Sequence, residues 1–155
     1  MPVSESTAIA SSPERVWELV SDVTRMGEWS PETQACQWKS GAAGPAVGAR
    51  FSGRNRNGRY SWSTSCRVTA ADPGRLFAYR VSYLGMAIAE WSYELRPTAE
   101  GCELTETTVD QRRWPMRVIG AVGTGVRDRD THNRAGIQQT LAAIKAHAEA
   151  GSVPG

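Results

Sequence analysis

Apolar and polar side chains alternate strictly in the middle of the chain, most clearly from Arg59 to Thr69. One face of this segment carries Tyr60, Trp62, Thr64, Cys66 and Val68, and the other carries Arg59, Ser61, Ser63, Ser65, Arg67 and Thr69. A period of two predicts a β-strand with one covered face and one exposed face. The preceding Asn57-Gly58 predicts a two-residue hairpin turn, because both residues tolerate positive φ.

Similar patterns predict successive strands from Thr33 to about Arg112, and one more at Pro2 to Ile9. Turn signals at Asp72-Pro73-Gly74 and at Glu100-Gly101 separate the later strands. Consecutive strands joined by tight turns predict an antiparallel meander rather than βαβ units.

Two short helices are predicted between the first two strands. Apolar residues recur at helical spacing from Pro13 to about Ser21, which predicts an amphipathic helix. Either Ser11 or Ser12 fits the position before its first turn. The second short helix is predicted from Thr24 to Glu28.

A single long helix is predicted from Asp128 to about Ala150. The back half of this helix carries one apolar stripe, formed by Ile137, Leu141, Ile144 and Ala148. Towards the front, the same face continues through small and polar residues, namely Gly136, Asn133 and Asp130. A fully packed helix face would be apolar throughout. The front half therefore either covers a polar-lined space or projects into solvent.

Aromatic side chains on the predicted inner face of the sheet favour a space beneath the helix. They are Tyr60, Trp62, Trp91, Tyr93 and one of Phe77 and Tyr79. Such rings form either a dense core or the wall of an apolar cleft. Because the opposing helix offers mostly alanine and glycine, its side chains have too little volume to fill the gap. A ligand cavity is therefore predicted.

Glu106 is the candidate for chemistry in that cavity. The alternation that turns Leu104 inward also turns Glu106 inward, although Thr105, Thr107 and Val109 make a competing face. A buried carboxylate needs a partner or takes a raised pKa. Glu106 therefore suits acid–base catalysis or ligand anchoring, and a structural ion pair with an arginine is the alternative.

Composition and charge add few constraints. A chain of 155 residues predicts one domain over residues 1–150, followed by a disordered tail over 151–155. The formal net charge of +2 is too small to predict nucleic-acid binding. No segment fits a signal peptide or a membrane span, so a cytoplasmic location without integral membrane association is predicted.

The cysteines and histidines give no sign of a metal or cofactor site. Cys36, Cys66 and Cys102 are odd in number and widely spaced, which predicts buried free thiols. His132 and His147 have no ligand-like spacing with the cysteines, and both are predicted to be exposed. We therefore expect no metal and no cofactor.

Two further segments have ambiguous patterns. The basic hairpin residues Arg50, Arg54, Arg56 and Arg59 alternate outward, which predicts a solvated face or a surface for an acidic partner. The glycine-containing stretch from Arg113 to Arg127 lacks the lysine and the βαβ context of a phosphate loop. It is predicted to be a loop or short helix over one end of the sheet.

Several short segments along nearly the whole chain occur in an order and at spacings that are typical of one protein family. They are Ser12–Trp17, Asp22, Gly27–Pro31, Val47–Asn55, Ala89–Leu95, and Gly136-Ile137 with Thr140-Leu141. Together they resemble the polyketide cyclase/dehydrase and lipid-transport family of the START-like (Bet v 1-like, helix-grip) superfamily, in its actinobacterial form.

This resemblance implies an α+β helix-grip fold. In that fold a seven-stranded, bent antiparallel sheet wraps around the long C-terminal helix, with two short helices between strands 1 and 2. It also implies a hydrophobic ligand between sheet and helix, and Trp29 and Trp62 match aromatic positions that line such pockets. In the aromatase/cyclase members, aromatic and arginine side chains orient a polyketide for ring closure.

The leading hypothesis is binding or transport of a hydrophobic small molecule, such as a lipid, polyketide or quinone-like compound, by a monomer or homodimer. The alternatives are a polyketide aromatase/cyclase acting on a poly-β-ketone, and a regulatory or toxin-like partner-binding protein. The predicted ligand-binding residues are Trp29, Asn55, Tyr60, Trp62, Tyr79, Trp91, Tyr93, Glu106, Asn133 and Ile137. Glu106 is the catalytic candidate among them.

Overall fold

The structure is a computed structural model that describes residues 2–126 and 128–150. Its elements in chain order are β1 (Pro2–Ile9), α1 (Pro13–Ser21), a 3₁₀ helix (Val23–Glu28), β2 (Thr33–Lys39), β3 (Arg50–Asn57), β4 (Tyr60–Asp72), β5 (Leu76–Tyr83), β6 (Met86–Thr98), β7 (Gly101–Asp110), α2 (Trp114–Thr124) and α3 (Arg129–Ala150). The predicted tail, residues 151–155, lies outside the described residues.

All neighbouring strands of the sheet are antiparallel. The spatial order is β1-β7-β6-β5-β4-β3-β2, so β2 to β7 form the predicted meander and β1 adds to its far edge beside β7. The register shifts between β2 and β3, between β4 and β5, and between β5 and β6. Bulges of this kind bend strands. The predicted seven-stranded α+β architecture is confirmed.

The two short helices lie between β1 and β2 as predicted. Ser12 caps α1, since its side chain accepts a hydrogen bond from the Arg15 amide at 3.2 Å and Pro13 occupies the first turn. The second helix is a 3₁₀ helix rather than an α-helix. It begins after Asp22, whose Oδ1 accepts from the Thr24 amide at 3.1 Å.

The back half of α3 packs against β1 and α1. All four residues of the predicted stripe, Ile137, Leu141, Ile144 and Ala148, are buried. Lys145 Nζ donates to the Ala8 carbonyl at 2.7 Å, and Glu149 Oε2 accepts from the Ala10 amide at 2.9 Å. These bonds fix the end of α3 to the end of β1, which leaves the front half over the middle of the sheet.

The segment with the ambiguous glycine pattern contains α2, which lies against β4. Asn57, the last residue of β3, donates to the carbonyl of Thr124 at 2.8 Å, which ties the hairpin to the end of α2. Because Asn57 pairs with Tyr60, the two-residue turn is Gly58-Arg59, one residue later than the predicted Asn57-Gly58. The structure therefore has a helix where the sequence predicts a loop or short helix. Within the described ranges, no helix is both long and apolar enough to cross a membrane.

Gly101 makes a close approach that no other residue fits. It begins β7 with a φ of 154°, and a Cβ there would lie 2.3 Å from the Ile9 carbonyl oxygen. We expect Gly101→Ala to lower the free energy of unfolding by roughly 2 kcal/mol or more, measured by urea denaturation. Gly44→Ala is the control, because its Cβ would meet no atom within 4 Å. Equal stabilities of the two variants would contradict this account.

Candidate functional site

A cavity of about 330 Å³ lies between the sheet and the front half of α3. Eight of the predicted site residues line it, namely Asn55, Trp62, Tyr79, Trp91, Tyr93, Glu106, Asn133 and Ile137. Its mouth, the end that opens to solvent, is bordered by the exposed residues Pro31, Ser61 and Gly123. The structure therefore brings most of the predicted site together around one space.

Small side chains on both sides create this space. On α3, Asn133, Gly136 and Thr140 face the cavity at spacings of three and four residues. On the sheet, Gly53 and Ala89 lie opposite, where larger side chains would occupy the volume. Two of the three residues predicted on the inward face of the front half of α3, Gly136 and Asn133, therefore line the cavity.

Asp130, the third residue of that predicted face, is exposed. Arg129 lines the cavity instead. Steps of four residues back from Ile137 lead to Asn133 and then to Arg129, because 3.6 residues complete one helical turn. The predicted face runs from Gly136 to Asn133 and Asp130 in steps of three residues. Such steps turn away from the cavity along the helix, and Asp130 therefore lies outside it.

Aromatic rings supply most of the cavity wall. Tyr79 and Tyr93 are buried, with exposed fractions of 5% and 3%, and Trp62 and Trp91 are half-buried. The Phe51 and Tyr79 rings pack edge to face with centroids 5.2 Å apart. The Tyr79 hydroxyl lies 3.7 Å from Met26 Sδ, and among the described hydrogen bonds it donates to no carboxylate. This wall suits an apolar or aromatic ligand.

Two predicted site residues lie outside the cavity lining. Trp29 is buried, but its ring packs edge-on against His147 at 5.8 Å and beneath the Arg25 guanidinium at 5.1 Å. Tyr60, the first residue of β4, lies against Gly125 beyond the end of α2. Neither residue lines the cavity.

Glu106 lies on the inner face of β7, with 2% exposure and with Leu104 and Thr108 buried beside it. Burial raises the pKa of its carboxyl from 4.5 to about 8, and the hydroxyl of its cross-strand neighbour Tyr93 offsets part of that rise. Oε1 of Glu106 has no hydrogen-bond partner among the described residues. Glu106 is therefore a neutral acid near pH 7, with an oxygen available to a ligand.

One ionic cluster, which we call the mouth cluster, joins separate elements across the mouth. Arg129 donates to both carboxylate oxygens of Glu32 at 3.0 Å and to Thr124 Oγ1 at 2.8 Å. His132 Nε2 also contacts Glu32 Oε2. Arg129 and Glu32 are only 14% and 22% exposed. The cluster holds the start of α3 to the end of α2 and to the segment before β2.

A second ion pair lies beneath α2. The Arg112 guanidinium makes two parallel contacts with the Asp110 carboxylate, at 2.9 and 2.8 Å. Burial acts to raise the pKa of Asp110, but the hydrogen bonds from Arg112 outweigh it and the pKa is lowered. A Cβ at Gly120 would lie 2.8 Å from Arg112 Nη1, so glycine allows α2 to pass closely over this pair.

The lining also contains four charged or titratable residues that are not among the predicted site residues, namely Glu32, Arg112, Arg129 and His132. His132 was predicted to be exposed, and that is wrong, since it is half-buried and bonded to Glu32. The helical spacing of Arg129, Asn133 and Gly136 is the one pattern in the sequence that could have placed Arg129 at the cavity. Within the described residues, no group of three His, Cys, Asp or Glu side chains could hold a metal ion.

Comparison with known proteins identifies relatives that match nearly the whole chain. The family model for polyketide cyclase/dehydrase and lipid transport matches residues 2–149. The solution structure of the Polyketide_cyc-like protein Cgl2372 from Corynebacterium glutamicum is 33% identical, with a TM-score of 0.65. That match covers 97% of this chain and 92% of the other.

More distant structures share the fold. The di-domain ARO/CYC StfQ from the steffimycin biosynthetic pathway is 17% identical, with a TM-score of 0.75, and the match covers 97% of this chain and 52% of StfQ. Protein NE0264 from Nitrosomonas europaea is 11% identical, with a TM-score of 0.72, covering 99% of this chain and 97% of that one. No curated protein matches the chain.

The raised pKa of Glu106 predicts a pH-dependent stability. Between pH 4.5 and about 8 the folded protein keeps a proton that the unfolded chain releases. Stability therefore falls as the pH rises through this window, by up to about 1.4 kcal/mol per pH unit. Glu106→Gln removes this dependence. In urea denaturation, the free energy of unfolding of the variant should therefore increase relative to that of the wild type from about pH 5 to about pH 8. A constant difference between the two free energies of unfolding across that pH range would refute a raised pKa of Glu106.

Proposed function

The chain belongs to the polyketide cyclase/dehydrase and lipid-transport family, and on that premise we propose that it binds a hydrophobic small molecule between the sheet and α3. A lipid, a polyketide or a quinone-like compound has the required apolar surface. The observation that carries this proposal is the cavity of about 330 Å³, walled by aromatic rings and covered by the small residues of α3. Its volume falls at the lower end of the range for small-molecule sites.

Desolvation of the ligand supplies most of the affinity. A ligand that buries about 250 Å² of apolar surface gains roughly 6 kcal/mol at about 25 cal/mol per Å², before the costs of association. Packing between the rings of Trp62 and Trp91 adds to this when the ligand is itself aromatic.

Polar groups inside the cavity then set the orientation of the ligand. The neutral carboxyl of Glu106 donates a hydrogen bond to a ligand carbonyl at the buried end. Asn55 and Asn133, both half-buried and nearer the mouth, offer amide groups that donate and accept. A ligand with a buried carbonyl thus satisfies an oxygen of Glu106 that has no described partner.

A second candidate function is ring closure of a poly-β-ketone, and the neutral acid Glu106 is the observation that favours it. The cavity wall would hold the chain folded, which brings the reacting carbons together. As the new carbon–carbon bond forms, the attacked carbonyl oxygen takes the proton of Glu106. The attacking carbon reacts as part of an enol, and the carboxylate left behind takes up the proton that the enol oxygen releases, so the acid is regenerated.

Ligand binding is tested by filling the cavity from α3. Asn133 faces the cavity, whereas Ala135 is exposed on the same helix. We expect Asn133→Phe to weaken binding of apolar ligands at least about tenfold, because its ring occupies ligand volume, and Ala135→Phe to leave binding unchanged. Titration of tryptophan fluorescence with fatty acids, quinones and polyketides measures both variants, since Trp62 and Trp91 lie in the wall.

Absence of any saturable fluorescence change across the ligand panel would count against the carrier hypothesis. Equal loss of binding in both phenylalanine variants would show that the effect is not one of cavity volume.

The cyclase hypothesis is tested at Glu106 alone. Glu106→Gln keeps the size and polarity of the side chain but removes the proton, so binding of a poly-β-ketone thioester should persist. Turnover should fall by about 10²- to 10⁴-fold, which is the usual contribution of a positioned acid. Chromatography of the products and fluorescence titration measure the two quantities. Equal turnover in variant and wild type would eliminate the proton-transfer role.

A further inference from the structure

The net charge of +2 does not describe how charge is distributed over this protein. Residues 33–71 contain six Lys and Arg and no Asp or Glu, so the remainder of the chain has 12 basic side chains (18 minus 6) against 16 acidic ones. Net charge gave no reason to expect nucleic-acid binding, because these two parts of the chain nearly cancel. Residues 33–71 form β2, β3 and nearly all of β4, so the positive charge is concentrated in one part of the sheet.

This charge lies on the outer face of the sheet, which points away from α3. The inner positions of β3 and β4, such as Gly53 and Thr64, are buried and line the cavity. Successive side chains of a strand point to opposite faces, so the exposed positions between them lie on the outer face. We call the exposed cations of β2 to β5 the cationic face, and they are Lys39, Arg50, Arg54, Arg56, Arg67 and Arg80.

Four of these cations form a row across four neighbouring strands. Arg50 of β3 pairs with Lys39 of β2 on one side and with Arg67 of β4 on the other. Arg67 pairs in turn with Arg80 of β5. Because neighbouring strands lie about 4.8 Å apart, the whole row spans about 15 Å. Like charges directly opposite one another destabilise a sheet, so the stability of the fold does not explain the row.

Carboxylates do little to compensate this charge. No member of the cationic face has a carboxylate partner among the described ion pairs. Asp72, the one exposed acid of β2 to β5, contacts Arg75 at 3.8 Å. Glu90 of β6 pairs across the strands with Arg80, and its carboxylate accepts a hydrogen bond from Gln111 at 3.4 Å. Six cations thus have one neighbouring carboxylate, and a polyanion would relieve the remaining repulsion.

The other exposed side chains of these four strands indicate which polyanion the face fits. Apart from Asp72 and the six cations, they are serine, threonine, glutamine and one alanine. Arginine, lysine, hydroxyl and amide side chains are the groups that bind the phosphates of nucleic acids. Protein interfaces have aromatic and apolar residues at their core, and membrane-surface helices insert apolar side chains. The exposed residues of β2 to β5 include no large apolar side chain of either kind.

The same residues favour a double helix over a single strand. Proteins that bind single strands without sequence preference stack the bases on aromatic rings, and no exposed residue of β2 to β5 is aromatic. Non-specific binding to a duplex needs only cations that neutralise its phosphates.

We propose that the cationic face binds double-helical nucleic acid through its phosphate backbone. Arg50 and Arg67, at the centre of the row, bind phosphates through paired guanidinium donors. Ser52 and Ser65 pair with each other two residues further along the same strands, and their hydroxyls supply further donors. Because phosphates carry no sequence information, the binding is independent of sequence.

The test is titration of a short, fluorescently labelled DNA duplex, followed by anisotropy at several salt concentrations. With about four phosphate contacts, the logarithm of the association constant should fall with the logarithm of salt concentration at a slope of about −4. Raising the salt from about 50 mM to about 200 mM should therefore weaken binding about 100-fold. A labelled single strand of the same sequence should bind more weakly than the duplex.

A pair of double variants locates the binding surface. Arg50→Gln with Arg67→Gln should weaken binding at low salt at least about tenfold and make the slope less negative by about 2. Arg75→Gln with Arg96→Gln is the matched control, because each of these exposed arginines already contacts a carboxylate. The control lowers the net charge equally and should preserve both the affinity and the slope.

Urea denaturation of the first double variant separates loss of binding from loss of folding. Because the substitutions remove repulsion between directly opposed charges, its free energy of unfolding should equal or exceed that of the wild type.

The remaining outcomes would overturn the proposal. Absence of duplex binding at low salt would do so, and equal effects of the two double variants would show a dependence on net charge alone. Tighter binding of the single strand would contradict the assignment to a double helix. Binding of polyglutamate or of anionic phospholipid vesicles, without binding of the duplex, would assign the face to an acidic protein or to a membrane. The cavity takes no part in these measurements, so the proposed function stands or falls separately.

Discussion

The volume that α3 leaves unfilled is the constraint on which the rest of this structure depends. The back half of the helix buries Ile144 and Ala148 completely and is bonded to the end of β1. This anchoring sets the height of the helix above the sheet. Its front half then presents residues such as Gly136, which are too small to reach the opposing strands. The cavity follows from a fixed helix that carries small side chains at one end.

Burial gives the cavity wall its chemical character. Desolvation raises the pKa of Cys36 to about 11 and that of Cys66 to about 12, so both remain as weakly nucleophilic thiols near neutral pH. It also raises the pKa values of Tyr79 and Tyr93 well above 10. With Glu106 protonated as well, the part of the wall formed by these buried side chains is uncharged and offers neutral hydrogen-bond donors. Such a surface accepts an apolar molecule without paying to desolvate an ion.

Local periodicity predicted the strands, the position of Glu106 on the inner face of the sheet and the apolar stripe of α3, because each depends on neighbours within a few residues. It could not predict how far along a strand the cavity extends, and Tyr60 therefore shares the face of Trp62 but lies beyond the cavity. Nor could it predict the mouth cluster. Glu32 and Arg129 are 97 residues apart, and only the folded chain brings them together.

Charge pairing gives two arginines of the cavity lining a structural role. Arg112 and Arg129 are about 10% and 14% exposed in their side chains, and each binds a carboxylate through two contacts. An anionic ligand could reach either cation only by breaking an existing pair and leaving a partly buried carboxylate uncompensated, which is costly. These two arginines therefore hold α2 and α3 in place.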